Sequence, residues 1–293
     1  MREATILADV QSERPRGAAI LLFITGVSCF GVMDGLGKLL VADFPVLQIV
    51  WARYAFAVPI ILATTAPVGW PSLLRCERPL LQAVRGLLPL FAGASILLGL
   101  RLMSLADATV ITFAAPLFVV VLSGPMLRER VGTAAWVGVG LGFVGVLIVV
   151  RPGAGSIAWA ALLPLATAFL FALYQVLTRL ASRGDPAATT LAWTILIGLL
   201  LTTPLLPLAW AEASFAAWLL LIISGLLYGT GQFLLISALA AAPANVLTPF
   251  TYTQIVAAVL FGMLVLGELP DAWTLAGTAL IVLAGLYVLR RSR

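Results

Sequence analysis

The sequence predicts an all-α membrane protein: ten transmembrane helices arranged as two five-helix inverted-topology repeats, with both termini cytoplasmic. Three observations carry this. The chain is too apolar for water: 62% of its 293 residues are hydrophobic, 10% are charged and the mean hydropathy is +1.12, whereas soluble domains run at about 45–50% apolar and about 25% charged. It divides into ten apolar stretches separated by short breaks bearing Pro, Gly or charge. One hairpin also occurs twice, an apolar span ending in a lone glutamate (Leu127-Arg128-Glu129 and Leu266-Gly267-Glu268) followed by a polar turn and a glycine-bearing span that stops at arginine.

A helix needs about 20 apolar residues to cross the hydrocarbon core. The stretches that meet this are 17–41, 46–66, 79–101, 106–127, 133–150, 157–180, 187–209, 214–238, 244–266 and 272–290. The first follows Arg14 and Arg16 as a signal peptide would, but it is too long for one, no small-residue cleavage pattern follows it, and it carries Asp34 and Lys38. It is expected to be an uncleaved span behind a short cytoplasmic segment, 1–16. Later breaks include Asp43-Phe44-Pro45, Pro67 to Pro79, Arg101 to Asp107, Arg128 to Gly132, Arg151 to Gly155 and Arg183-Gly184-Asp185-Pro186. The one at 241–244 has no charge and is the weakest. None has room for a soluble domain.

Orientation follows from the basic residues. With a cytoplasmic N-terminus, thirteen Lys/Arg fall on the inner side, Arg85 among them, and three (Lys38, Arg101, Arg151) on the outer, with Arg53 inside a span. The duplication extends along the whole chain. At an offset of 141, Lys38 and Pro45 meet Arg179 and Pro186; at 139, Glu129, Gly138 and Arg151 meet Glu268, Gly277 and Arg290. The repeats are therefore 17–151 and 152–293. An odd number of spans in each makes the second enter the membrane from the opposite side. That is a common architecture of secondary transporters, whose substrate site lies between the halves.

Several chemistries are excluded. The net charge of +5 comes without a basic run interleaved with aromatics, so no nucleic-acid partner is expected and the basicity is read as topology. Cys29 and Cys76 are too few and too differently placed for a disulfide framework or a metal site. With no histidine, a catalytic metal or a Ser-His pair is not available. No nucleotide-binding motif is present, and no cofactor is expected.

The glutamate-ended hairpins, Leu127-Arg128-Glu129-Arg130 with 136–151 and Leu266-Gly267-Glu268-Leu269 with 273–291, together with Ala52-Arg53-Tyr54, resemble the EamA-type ten-helix members of the drug/metabolite transporter superfamily over nearly the full length. The resemblance implies export of small metabolites. Within it the chain looks most like the bacterial amino-acid exporters of the YddG type, whose substrates include aromatic amino acids.

Candidate site residues are the polar groups inside spans, since in lipid each must meet a partner, water or ligand. Asp34 and Lys38 lie i, i+4 on one face, either as a snorkelling lysine with its neutralising acid or as a cavity mouth that meets a zwitterion. Arg53 needs a buried partner, which Asp34 or Asp43 could supply, and is assigned a structural or gating role. Trp51 and Tyr54 beside it fit an interfacial belt. Tyr174 with Gln175, Tyr228 with Gln232, and Tyr252 with Gln254 put aromatic and amide groups deep in spans six, eight and nine, and Thr248 adds a hydroxyl. Each can be a tie between helices or a substrate contact. Pro116 and Pro249 are expected to bend spans four and nine around a cavity, with Pro89 and Pro164 acting similarly in three and six. Glu129 and Glu268 are assigned to capping and loop anchoring. The glycines of spans five and ten, including Gly138, Gly142 and Gly277, fit close helix packing or a homodimer contact.

The expected function is an inner-membrane secondary transporter that exports amino acids by alternating access, with a cavity built from spans one, three, four, six, eight and nine. A drug or other small-metabolite exporter of the same superfamily is the alternative. An intramembrane enzyme would need a nucleophile with its base, and a channel is the remaining option.

Overall fold

A computed structural model describes residues 16–65, 75–127, 133–150, 157–242, 247, 250–251 and 253–291. Among these there are helices and turns and no strand. Six helical segments are long and apolar enough to cross a membrane, and four shorter apolar helices accompany them.

In chain order the helices are α1 (Arg16–Leu40), α2 (Val46–Ala55), α3 (Val58–Thr65), α4 (Pro79–Leu102), α5 (Leu105–Thr112), α6 (Ala115–Leu127), α7 (Thr133–Val150), α8 (Ile157–Ala160), α9 (Leu162–Ala181), α10 (Ala187–Thr202), α11 (Phe215–Ala241), α12 (Thr253–Phe261) and α13 (Ala272–Arg291). A π-helical turn, Gly262–Leu266, extends α12 and is closed by Gly267 at φ 67°, a left-handed conformation that favours glycine.

Prolines decide where spans break. A proline has no N–H for the carbonyl four residues earlier, and its ring crowds that carbonyl. Accordingly α2 ends at Ala55, four before Pro59; α5 ends at Thr112, four before Pro116; and α8 ends at Ala160, four before Pro164. Pro89 and Pro125 behave differently, since α4 and α6 run through them unbroken. Pro249 lies outside the described residues, as do Thr248, Tyr252 and Glu129.

The packing repeats when the halves are exchanged. Helix α1 packs on α11 and α12, as α9 packs on α4 and on α5–α6; α2 packs on α11 as α10 packs on α4; and α2 meets α10 directly. Helices α7 and α13 form a pair at the edge of the bundle. A Cβ on Gly145 would come within 2.9 Å of the Gly277 carbonyl oxygen, and one on Gly277 within 2.7 Å of the Gly145 carbonyl oxygen. These glycines therefore serve a contact inside the chain. Gly142 is taken up similarly, since its Cβ would meet the Leu117 side chain at 2.8 Å.

Repeat-related basic residues close helix ends in the same way. Lys38 Nζ donates to the Leu100 and Met103 carbonyls, each at 2.8 Å, at the end of α4. Its sequence mate Arg179 donates to the Leu239 carbonyl at 2.8 Å, at the end of α11. A cation suits the unpaired carbonyls of a helix C-terminus.

Candidate functional site

A cavity lies where α1, α2, α4, α9, α11 and α12 converge. About 80 Å³ of it is open to the centres of water molecules, enough for several waters at roughly 10–15 Å³ each. Span two also contributes to its wall, with Arg53 and Tyr54, although the sequence reading did not count that span.

Arg53 is 3% exposed, at the end of α2 just before the Pro59 break. Its Nη2 lies 3.7 Å from Asp34 Oδ1 and donates to the Met33 carbonyl at 3.3 Å. Gly37, one turn further along α1, leaves the space: a Cβ there would stand 2.7 Å from Arg53 Nη2. So the partner of Arg53 is Asp34, and both face the cavity. Lys38 does not share that site. It turns to the end of the bundle, 3.9 Å from Glu268 Oε1, while Glu268 Oε2 accepts the Leu105 N–H at 3.0 Å. Glu268 thus ties the second half to the first at that end.

Tyr54 is 1% exposed, packed edge-to-face on Tyr228 with ring centroids 5.1 Å apart, and so is not part of an interfacial belt. Trp51 clusters instead with Phe56 and Trp210. Gly225 and Gly229 on α11 receive the Phe56–Ala57 corner of span two rather than a ligand, since added Cβ atoms would meet Phe56 Cβ at 2.5 Å and Ala57 Cβ at 2.9 Å. Neither tyrosine hydroxyl, nor Arg53 Nε, forms a well-shaped hydrogen bond among the described residues. Buried polar groups rarely go unpaired. Here they border a space large enough for water or a ligand.

Gln232 and Gln254 line the cavity, with Phe30 and Phe171 in edge-to-face contact at 6.1 Å. Thr112, at the break in span four, lines it as well, so the proline bend sits at the cavity wall. Pro116 itself stands just beyond the break in α6. Tyr174 is buried behind Gln232 and donates to its Oε1 at 2.8 Å. Gln175 is buried and does not line the cavity. No cluster of three or more potential metal-ligating side chains occurs among the described residues.

Sequence reasoning missed Arg85, counting it among the inner-side basic residues although it falls within the stretch 79–101. It is fully buried in α4. Its Nε donates to Thr178 Oγ1 at 3.2 Å; Nη1 donates to Gln82 Oε1 at 2.9 Å and the Thr190 carbonyl at 3.0 Å; Nη2 donates to Tyr174 Oη at 3.3 Å and to Thr194 Oγ1. Gln82 in turn donates to Asp185 Oδ2 at 2.8 Å. The signal was depth: Arg85 stands six residues, or about 9 Å, beyond Pro79 along a helix.

The sequence profile of the EamA-like transporter family matches residues 17–151 and 158–290. A riboflavin transporter of Vibrio cholerae serotype O1 is 29% identical over 286 residues, covering 94% of this chain and 93% of that protein. An S-adenosylmethionine uptake transporter of Rickettsia conorii is 24% identical over 278 residues, covering 92% and 94%. A crystal structure superposes on 95% of this chain and 100% of its own with a TM-score of 0.74 at 20% identity, a likeness of fold.

Proposed function

The chain belongs to the EamA-like transporter family, and from that premise we propose that it carries a small, planar, hydrogen-bonding metabolite across the inner membrane by alternating access, riboflavin being the first substrate to test. The observation that carries this reading is the make-up of the cavity. Phe30, Phe171, Tyr54 and Tyr228 offer aromatic edges and faces beside the amides of Gln232 and Gln254 and the guanidinium of Arg53. Rigid aromatic walls hold a flat ring by offset or edge-to-face contact at little cost in side-chain entropy. Amide and guanidinium groups then select for ring carbonyls and nitrogens. The substrates named for the two relatives, riboflavin and S-adenosylmethionine, both contain a nitrogen heterocycle, and this supports the same reading.

Amino-acid export is the second reading, and the Asp34–Arg53 pair favours it. A carboxylate and a guanidinium 3.7 Å apart at a cavity wall match the ammonium and carboxylate of a zwitterion. In both readings the halves rock about the cavity, and the ties at Lys38–Glu268 and at Gln82–Asp185 open in turn.

Counterflow of tritiated riboflavin into proteoliposomes holding the purified protein tests the proposal. Saturable uptake, accelerated by preloaded riboflavin, is the expected result. Uptake no greater than in empty vesicles, with labelled phenylalanine moving instead, would replace it with the amino-acid reading.

A further inference from the structure

Gln232 is an amide at the cavity wall, and which of its two polar atoms faces the ligand decides what the ligand must offer. Arg85, outside the cavity, fixes that choice. A guanidinium only donates hydrogen bonds, so Tyr174 Oη, which receives Arg85 Nη2 at 3.3 Å, uses its lone pair there. Its single proton goes to Gln232 Oε1 at 2.8 Å. With its oxygen turned to Tyr174 and one lone pair engaged there, Gln232 presents its NH₂ on the side away from Tyr174.

The same constraint acts on the other side of Arg85. Gln82 Oε1 accepts from Nη1, so the Gln82 NH₂ donates to Asp185 Oδ2 at 2.8 Å and Thr190 Oγ1 at 3.2 Å. One buried cation therefore sets the polarity of two amides, one toward the Arg183–Pro186 turn and one toward the cavity.

Building on the carrier reading above, we infer that the relay Arg85–Tyr174–Gln232 makes Gln232 a hydrogen-bond donor toward the cavity, so that at this position the site selects ligands presenting a carbonyl or carboxylate edge over cationic ones. Arg85 and Tyr174 are positioning residues for this selectivity and touch no ligand. Arg53 lines the same cavity, and its Nε, without a hydrogen-bond partner among the described residues, adds a second donor. Asp34, the carboxylate at that wall, stands 3.7 Å from Arg53 Nη2, and its Oδ1 has no hydrogen-bond partner among the described residues, so it is the acceptor that this wall retains.

The chain has six glutamines, so side-chain ¹⁵N-glutamine labelling of the full chain in lipid nanodiscs gives a simple spectrum. The Gln232 amide signal is identified by its loss in Gln232→Glu, and the Gln82 signal by its loss in Gln82→Glu. Tyr174→Phe keeps the ring and removes the hydroxyl; it is expected to move the Gln232 signal and leave that of Gln82 in place. An unmoved Gln232 signal overturns the inference. In transport, Tyr174→Phe is expected to raise the half-saturating riboflavin concentration about five-fold, the loss of one neutral hydrogen bond, with maximal flux retained. Gln232→Glu, which offers an acceptor instead, is expected to reverse the preference between riboflavin and S-adenosylmethionine. An unchanged preference overturns the inference. Should the wild-type protein carry neither compound, the substrate reading fails while the labelling arm still decides the relay.

Discussion

At the scale of single residues, the chemistry rests on charges that lipid would not tolerate alone. Asp34 and Arg53 were legible as partners because a guanidinium inside a span must find a carboxylate, and Asp34 was one of two in reach. Removing one member leaves the other buried and unpaired, at a cost of about 3–5 kcal/mol. Asp34→Asn is therefore expected to lower the melting temperature of the purified protein more than the double change Asp34→Asn with Arg53→Gln. If the double variant is the less stable, the pair is not the reason both residues are present. Arg85 was not legible. A loop arginine and a buried one read alike near a span's start, and its partners Thr178, Thr190 and Thr194 are about ninety residues or more away in sequence. Tyr174 was legible as a polar group in a span but not as a residue of the layer behind the cavity, because that depends on which way α9 turns.

At the scale of elements, breaks follow rules the sequence displays and packing then accepts or refuses. Three prolines end a helix four residues earlier, while Pro89 leaves α4 continuous. The bend before Pro116 brings Thr112 to the cavity, so Pro116→Ala is expected to let span four straighten. Riboflavin flux should fall while the melting temperature holds or rises; equal flux in the variant would remove the bend from the transport cycle. The α7–α13 contact gives a contrasting case. Gly145→Leu inserts a side chain where a Cβ already meets Ile281 at 2.6 Å, an overpacking that costs about 1–3 kcal/mol. The expected result is a lower melting temperature with the half-saturating substrate concentration unchanged, because this pair lies away from the cavity.

At the scale of the whole molecule, the exchange of halves is the organising fact. The pairs α1 with α11 and α9 with α4 match under it, as do Lys38 on the α4 end and Arg179 on the α11 end. Five spans per half and the thirteen-to-three bias of basic residues set the expected orientation. Fusions test it: alkaline phosphatase is expected to be active after Arg101 or Arg151 and inactive after Arg293, with a fluorescent reporter giving the opposite pattern. Activity after Arg293 would reverse the topology. The sequence by itself determined the apolar, all-helical character, the duplication and the transporter family, because hydropathy, proline and repeated glutamates are local or periodic signals. Only the tertiary structure decided which polar groups meet. Asp34 and Lys38 share a helix face yet part company, one to the cavity and one to Glu268, and a distant arginine sets the direction of an amide, since such pairings depend on how helices turn against each other.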